Sequence, residues 1–111
     1  MAYNSRDSLY KPGFAIVPRE LIRDSSLSAN AIRLYGVLAT YTDGDGWGAF
    51  PGQQRLAEDM GCSKPTAQRA LYELEKALWV FVERTRNKGG NWMSNKYVLA
   101  HERGSKPRRR K

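Results

Sequence analysis

The stretch Phe50 to Leu78, FPGQQRLAEDMGCSKPTAQRALYELEKAL, predicts two helices joined by a three-residue turn. The first helix is predicted over Gln53–Met60, because its apolar residues recur at helical spacing. The turn spans residues 61–63 and opens with Gly61, at the position where a helix commonly ends in a left-handed residue. Glycine adopts that conformation at little cost, since it has no Cβ.

The second helix has a clear start and one continuous apolar face. Ser63 is predicted to be its N-cap, with the hydroxyl accepting from the backbone N–H of Thr66. Pro65 falls in the first turn, where no intrahelical N–H bond is needed. The apolar residues then follow an amphipathic helical pattern; they are Ala67, Ala70, Leu71, Leu74 and Leu78. Two helices at this spacing form a helix-turn-helix.

The opposite face of the second helix carries polar side chains that suit DNA. In a helix-turn-helix, the N-terminal part of this helix faces base edges in the major groove. Arg69 can pair bidentately with guanine and Gln68 with adenine. The predicted base-reading residues are Thr66, Gln68, Arg69 and Tyr72, and the predicted phosphate contacts are Ser63 and Lys64. The alternative is an ordinary amphipathic hairpin with a solvated polar face, which any one of these residues alone would favour.

The formal net charge of +8 is unevenly distributed. Residues 1–83 hold nine Lys or Arg and ten Asp or Glu, a net −1, whereas residues 84–111 hold ten Lys or Arg and the single acid Glu102, a net +9. Such asymmetry is typical of a protein that binds a polyanion. Nucleic acid is favoured over a membrane, because no apolar amphipathic anchor accompanies the charge.

Length and composition exclude several classes of protein. A chain of 111 residues supports one modest core. It has no apolar run long enough to span a membrane, and its polar start, a predicted arm over residues 1–12, is not a secretory signal. Cys62 is the single cysteine and His101 the single histidine, so neither a disulfide nor a zinc site is expected. We expect a cytoplasmic protein with no metal, cofactor or small-molecule ligand, and no catalytic constellation indicates an enzyme.

Upstream of the helix-turn-helix, the sequence predicts a strand and two helical stretches. Phe14–Val17 is a β-prone run that could pair at the edge of a small sheet. Residues 18–24 predict one helical turn, with Leu21 and Ile22 pointing inward. Ser28 is the predicted N-cap of the first long helix. The apolar residues of that helix are Ala31, Ile32, Leu34, Tyr35, Leu38 and Tyr41.

Two short segments connect this helix to the helix-turn-helix. Residues 43–46, Asp-Gly-Asp-Gly, predict a turn. A calcium loop is the alternative for the two carboxylates, but the remaining ligands of such a loop are missing. Trp47–Phe50 is a candidate for a short strand.

After Leu78 the pattern changes from helical to extended. Trp79–Val82 is strongly β-prone, residues 87–90 predict a turn, and Asn95–Ala100 predicts a second strand. One face of that strand holds Tyr97 and Leu99, and the other holds Lys96 and Val98. Residues 13–100 therefore form the predicted domain. Residues 101–111 form a basic tail that is expected to be disordered when free.

Three helices followed by a hairpin is the element order of a winged helix-turn-helix domain, an α+β fold. In that order the sequence resembles the helix-turn-helix family of phage and plasmid replication proteins and their small regulatory relatives. The match runs from about Phe14 to Leu99. It is carried by Phe14 with Pro18, Leu27-Ser28-Ala29 with Ala31, Trp47 to Pro51, Leu56-Ala57 with Gly61-Cys62-Ser63, Thr66 with Arg69, Leu74-Glu75-Lys76, and Asn95-Lys96-Tyr97.

The sequence departs from this family pattern in two places. Ala77 stands where the family usually has a glycine that ends the recognition helix. A left-handed Ala77 would cost about 1–2 kcal/mol; the alternative is a helix that runs on through Leu78. Trp79 replaces the usual aliphatic residue at the base of the wing.

The resemblance implies a sequence-specific double-stranded DNA-binding protein, either a transcription regulator or a replication-control protein of a mobile element or bacterium. The helix over residues 64–77 would enter the major groove, and the hairpin tip over residues 86–92 would reach a neighbouring backbone or minor groove. The further predicted phosphate contacts are Arg84, Arg86, Lys88, Asn91, Lys96, Lys106, Arg108, Arg109, Arg110 and Lys111. The alternative is a solvated hairpin whose charges only aid solubility.

Three questions stay open at the level of sequence. A protein-interaction surface built from Tyr72, Trp79 and Trp92 is one alternative function, and RNA binding by the basic tail is another. Trp92 could contact DNA or belong to the core. A homodimer is plausible, because one recognition helix covers only a few base pairs and useful specificity usually needs two half-sites.

Overall fold

The computed structural model of the chain describes residues 13–42, 47–49, 52–83 and 96–107. Four helices and three strands lie within these ranges. In chain order they are α1 (Arg19–Ile22), α2 (Ala29–Ala39), β1 (Trp47–Ala49), α3 (Gln53–Met60), α4 (Lys64–Lys76), β2 (Val80–Glu83) and β3 (Lys96–Leu99). This order confirms the predicted winged helix-turn-helix.

The first two helices each bury one side. Ser28 caps α2, and its hydroxyl accepts from the Ala31 N–H at 3.1 Å. In α1, Leu21 is fully buried, whereas Ile22 is 54% exposed. The prediction for Ile22 was wrong, because neighbouring residues of a helix point about 100° apart and a single turn buries one of them. The buried face of α2 comprises Ala31, Leu34, Tyr35 and Leu38.

The helix-turn-helix forms as its local signals predict. Gly52 is the N-cap of α3, and Gly61 follows its last residue with a φ of 70°, in the left-handed region. The Ser63 hydroxyl accepts from the Thr66 N–H at 3.3 Å, and Pro65 lies in the first turn of α4. Small side chains are buried on both helices; they are Ala57, Ala67 and Ala70.

The end of α4 matches neither the family pattern nor the alternative of a helix that runs through Leu78. Ala77 has φ −83° and ψ 1°, so it is not left-handed; Leu78 takes a φ of 65° instead. The Leu78 N–H donates to the Glu75 carbonyl at 3.0 Å, and the Trp79 N–H to the Leu74 carbonyl at 2.9 Å. These two bonds close a Schellman-type helix end. The backbone strain therefore falls on Leu78, one residue later than the family position.

The three strands form one antiparallel sheet in the order β1-β3-β2. Trp47 pairs with Val98 on one edge of β3, and Val82 pairs with Tyr97 on the other. The hairpin strands thus gain β1 as a third member, and β3 is the central strand. Tyr97 and Val98 point to opposite faces, and both are buried.

Phe14–Val17 forms no strand, contrary to the sequence prediction. Phe14 is 91% exposed and Ile16 is 69% exposed, while Val17 packs against the core. Among the described residues, the sheet consists of β1, β3 and β2. The segment therefore contributes one apolar side chain to the core and no backbone to the sheet.

Trp79 is the largest fully buried side chain in the described residues, with 0% exposure. Its ring meets that of Tyr35 edge-on, with centroids 6.5 Å apart and planes at 85°, a geometry that aromatic pairs favour. The indole N–H donates to the Asp24 carboxylate at 3.5 Å. Trp79 therefore joins the base of the wing to the N-terminal helices.

Arg103 and Gly104, within the predicted tail, hydrogen-bond to the end of α4. The Arg103 Nε donates to the Ala77 carbonyl at 3.0 Å, and the Gly104 N–H donates to the Leu78 carbonyl at 2.8 Å. Gly104 has a φ of 79°, which suits glycine. Carbonyls at a helix end lack intrahelical partners, and this segment supplies them.

Candidate nucleic-acid interface

One side of α4 is polar and open to solvent, opposite the buried face formed by its alanines and leucines. The exposed residues on this side include Lys64, Gln68, Arg69 and Tyr72, with Ser63 at the cap. Thr66 lies half-buried at the margin. The structure therefore places all four predicted base-reading residues and both predicted phosphate contacts of this segment on or beside one surface, which we call the α4 face.

Hydrogen bonds order the N-terminal end of the α4 face. The Ser63 and Thr66 hydroxyl oxygens lie 2.8 Å apart, and the Arg69 Nη2 donates to the Thr66 hydroxyl at 3.4 Å. A guanidinium has five N–H donors, so this contact leaves Arg69 enough donors for a bidentate acceptor. The contact with Thr66 directs the Arg69 guanidinium toward the N-terminus of α4.

The middle of the α4 face is tied to α3. The Gln68 Nε2 donates to the Gln53 Oε1 at 2.7 Å. Gln53 is the first residue of α3 and half-buried, while Gln68 is exposed. Sequence reasoning did not assign a role to Gln53. Gln53 opens the predicted first helix, but nothing local indicated the partner fifteen residues later.

Glu73 follows Tyr72 in α4, but its carboxylate turns toward α2. It accepts from the Ser28 N–H at 2.8 Å and from the Ser28 hydroxyl at 2.7 Å. The negative charge therefore lies at the N-terminus of α2, where the helix dipole favours it. The carboxylate is therefore directed toward the start of α2.

A cluster of Tyr41, Asp59 and Arg55 links α3 to the segment that follows α2. The Tyr41 hydroxyl donates a short hydrogen bond to Asp59, and the Arg55 Nε lies 3.4 Å from the same carboxylate. Burial, with a further contribution from Asp59, raises the pKa of Tyr41 to about 12. The Asp59 carboxylate also raises the pKa of Arg55. The Tyr41 phenol and the Arg55 guanidinium therefore both stay protonated near neutral pH.

Tyr72 is 63% exposed toward the C-terminal end of the α4 face. It borders a shallow hollow of about 370 Å³. The hollow is lined by Ser26, Leu27, Tyr72, Glu73, Lys76, Ala77 and Arg103. Two of these residues are cationic, so the surface beyond Tyr72 also has a positive component.

The two described lysines outside α4 that were predicted to contact phosphates have different surroundings. Lys96 begins β3, is half-buried and pairs in register with Glu83 of β2. The Lys106 Nζ forms an ion pair with the Glu83 carboxylate at 2.9 Å. Lys106 is therefore partly neutralised within the domain. The other predicted contacts of the wing and tail lie outside the described residues; they are Arg84, Arg86, Lys88, Asn91, Arg108, Arg109, Arg110 and Lys111.

Cys62 is half-buried and packs against the core. Within the described ranges, no group of three or more His, Cys, Asp or Glu side chains is placed to hold a metal ion. In the same ranges, no helix is long and apolar enough to cross a membrane. The predicted turn at residues 43–46, the arm over residues 1–12 and Trp92 lie outside the described residues.

The fold and the α4 face define a winged helix-turn-helix domain. Residues 25–80, which hold α2, β1, α3 and α4, match a known family described as a helix-turn-helix domain. The chain belongs to this helix-turn-helix domain family. A search of curated protein sequences finds no match to the chain.

Two solved structures share the fold at low sequence identity. One is the N-terminal domain of a DNA-binding protein, with a TM-score of 0.57 and 19% identity. The other is a Rep–DNA complex, with a TM-score of 0.52 and 18% identity. Each alignment covers 88% of this chain and 82% of the other. At these identities the similarity establishes the fold.

Proposed function

We propose that this domain binds double-stranded DNA with sequence specificity, inserting the N-terminal half of α4 into the major groove. The observation that carries the proposal is the α4 face itself. Thr66, Gln68, Arg69 and Tyr72 lie on or beside one surface, and the carboxylate of Glu73 is turned away from it to cap α2. A helix-turn-helix reads base edges with this part of its second helix.

The wing and the tail would supply most of the affinity. The net charge of +9 on residues 84–111 follows α4 in the sequence, and cations that replace counterions on phosphates favour binding to any DNA sequence. In this proposal Ser63 and Lys64 contact phosphates beside the groove, while the arginines and lysines of the wing and tail bind along the backbone. A role in replication control agrees with the fold shared with the Rep–DNA complex, and transcription regulation is the other role consistent with such a domain.

Selection of bound sites from a random pool of duplexes tests the proposal directly. A palindromic motif would also show that two copies bind two half-sites.

Arg69→Ala should cost about 1–3 kcal/mol of binding free energy on the selected site and relax the preference at one base pair. The control is Arg33→Ala, which removes the same charge from an exposed position on α2. If Arg69→Ala weakens binding to selected and random DNA equally, Arg69 does not read a base. If the selection enriches no motif, the protein does not bind with sequence specificity.

The contribution of the tail is tested by deleting residues 108–111 alone. A longer deletion would remove Gly104 and Lys106, which contact the end of α4 and β2, and would confound stability with affinity. Removal of these four cations should weaken binding to all duplexes alike. It should flatten the logarithmic salt dependence by about 0.9 for each phosphate that is no longer neutralised. An unchanged slope would show that the tail does not lie on phosphates.

A protein-interaction surface made of Tyr72, Trp79 and Trp92 is less well supported than DNA binding. Trp79 is fully buried and cannot contribute to such a surface. RNA binding by the tail is distinguished from the proposal by competition, because duplex DNA of the selected sequence should displace the protein from structured RNA. If structured RNA instead displaces the protein from the duplex, RNA binding is favoured.

A further inference from the structure

The hydrogen bond between Gln68 and Gln53 joins the second helix of the motif to the first residue of the first helix. We infer that Gln53 is a positioning residue for Gln68 and that it sets the specificity of the base pair that Gln68 reads. This inference rests on the proposed function, and it adds a residue from α3 to a recognition surface otherwise built on α4.

A glutamine amide has a fixed set of donors and acceptors. It carries one oxygen, which accepts, and one nitrogen with two N–H donors. The contact of 2.7 Å commits one Gln68 N–H to Gln53. One N–H and the Oε1 of Gln68 remain, and a donor beside an acceptor is the pair that contacts N7 and N6 of adenine.

Gln53 also restricts how Gln68 can be presented. An exposed glutamine on a helix samples many rotamers, and its amide can turn either group toward the groove. Ordering such a side chain on binding costs conformational entropy. The bond to Gln53 restricts the amide before DNA arrives, because one of its N–H groups is already engaged. Preference for one base is therefore built into the free protein.

The neighbouring residue supplies a matched control. Gln54 has the same side chain, follows Gln53 in α3 and is exposed. Its replacement by alanine should leave both binding and base preference unchanged. Gln53→Glu is the conservative variant, because a carboxylate oxygen still accepts from the Gln68 Nε2, while the added negative charge should weaken binding to every duplex.

The experiment measures binding of variants of the whole chain to the selected site and to a set of duplexes in which each base pair is replaced in turn. Gln68→Ala defines the base pair that this side chain reads. Gln53→Ala should reduce discrimination at that same base pair, by about fivefold to tenfold within the range of one bidentate contact. Gln53→Glu should retain the discrimination. The double variant should match Gln68→Ala, because two residues that act as a unit are not additive.

Several results would overturn the inference. They are an effect of Gln53→Ala spread equally over all positions, an effect that adds to that of Gln68→Ala, or a loss of discrimination in Gln53→Glu equal to that in Gln53→Ala. Urea unfolding of each variant separates a positioning role from simple destabilisation, and unchanged midpoints are expected. If the wild type selects a motif that Arg69→Ala relaxes while Gln53→Ala changes nothing, this inference fails and the proposed function stands. If the wild type selects no motif, the proposed function has failed.

Discussion

The carboxylate of Glu73 accepts hydrogen bonds from both the backbone N–H and the hydroxyl of Ser28, at 2.8 and 2.7 Å. The same hydroxyl accepts from the Ala31 N–H at 3.1 Å. A residue of α4 therefore completes the N-terminal cap of α2 across 45 positions of sequence. The contact sets the orientation of the α4 face relative to the helix on which α4 packs.

Glu73→Ala should lower the free energy of unfolding by about 0.5–1.5 kcal/mol, because it removes two charge-assisted hydrogen bonds to the exposed Ser28, whose N–H can then bond to water. Urea denaturation followed by circular dichroism measures the change. The control is Glu58→Ala, which removes the same charge from an exposed position on α3. An equal effect of both substitutions would mean that net charge, not the cap, is responsible.

Leu78→Gly should raise the free energy of unfolding by up to about 1 kcal/mol, because glycine adopts a φ near 65° without a Cβ penalty. Leu78 is 49% exposed, so the packing lost with its side chain offsets part of this gain. Ala77→Gly is the matched comparison and should lower stability by about 0.5–1 kcal/mol, since Ala77 already has a favourable φ of −83°. If thermal melts show Ala77→Gly to be more stable than Leu78→Gly, the left-handed residue is Ala77 and not Leu78.

Arg103→Ala should destabilise the domain by about 1–2 kcal/mol, because it removes the charged donor on the Ala77 carbonyl. Chemical denaturation at low and high salt measures it, and most of the effect should persist at high salt because the hydrogen bond is direct and partly buried. Arg33→Ala again removes one charge from an exposed position and serves as the control. Equal behaviour of the two variants would show that residues 101–107 do not support the end of α4.

Stability should fall as the pH rises from about 10 to 12. Burial raises the pKa of Tyr35 to about 12 from its ordinary value of 10.0, and its hydroxyl donates to the Ala100 carbonyl at 2.6 Å. The folded state therefore favours the protonated phenol, and this contribution is complete below pH 10 and disappears toward pH 12. Tyr35→Phe should be less stable at neutral pH and show a shallower decline in this window. Urea midpoints across the pH series test both points.

Much of the fold follows from local signals in the sequence. The boundaries of α3, the Gly61 turn and the Ser63 cap depend on residues within a few positions of one another, and each was predictable. The same holds for the Ser28 cap of α2 and for the apolar faces. The placement of the predicted base-reading residues on or beside one surface followed from helical periodicity alone.

The rest depends on partners that are distant in the sequence. Phe14–Val17 has the composition of a strand, but composition does not supply the pairing partner that a strand needs, and the segment is not a strand. The position of the left-handed residue at the end of α4 is decided jointly by the buried Trp79 and by residues 100–104, which hydrogen-bond to residues 77–79. The bonds Gln53–Gln68 and Ser28–Glu73 likewise cross between helices, and local pattern carries no information about them.

The central place of β3 has a consequence for the nascent chain. Synthesis delivers a protein from its N-terminus, so β1 and β2 leave the ribosome before Lys96–Leu99, the strand with which both of them pair. The helices, whose contacts are closer in sequence, can assemble earlier. In a chain stalled ahead of Lys96, the segments of β1 and β2 would lack the strand with which both of them pair, so the sheet can form only after β3 has emerged.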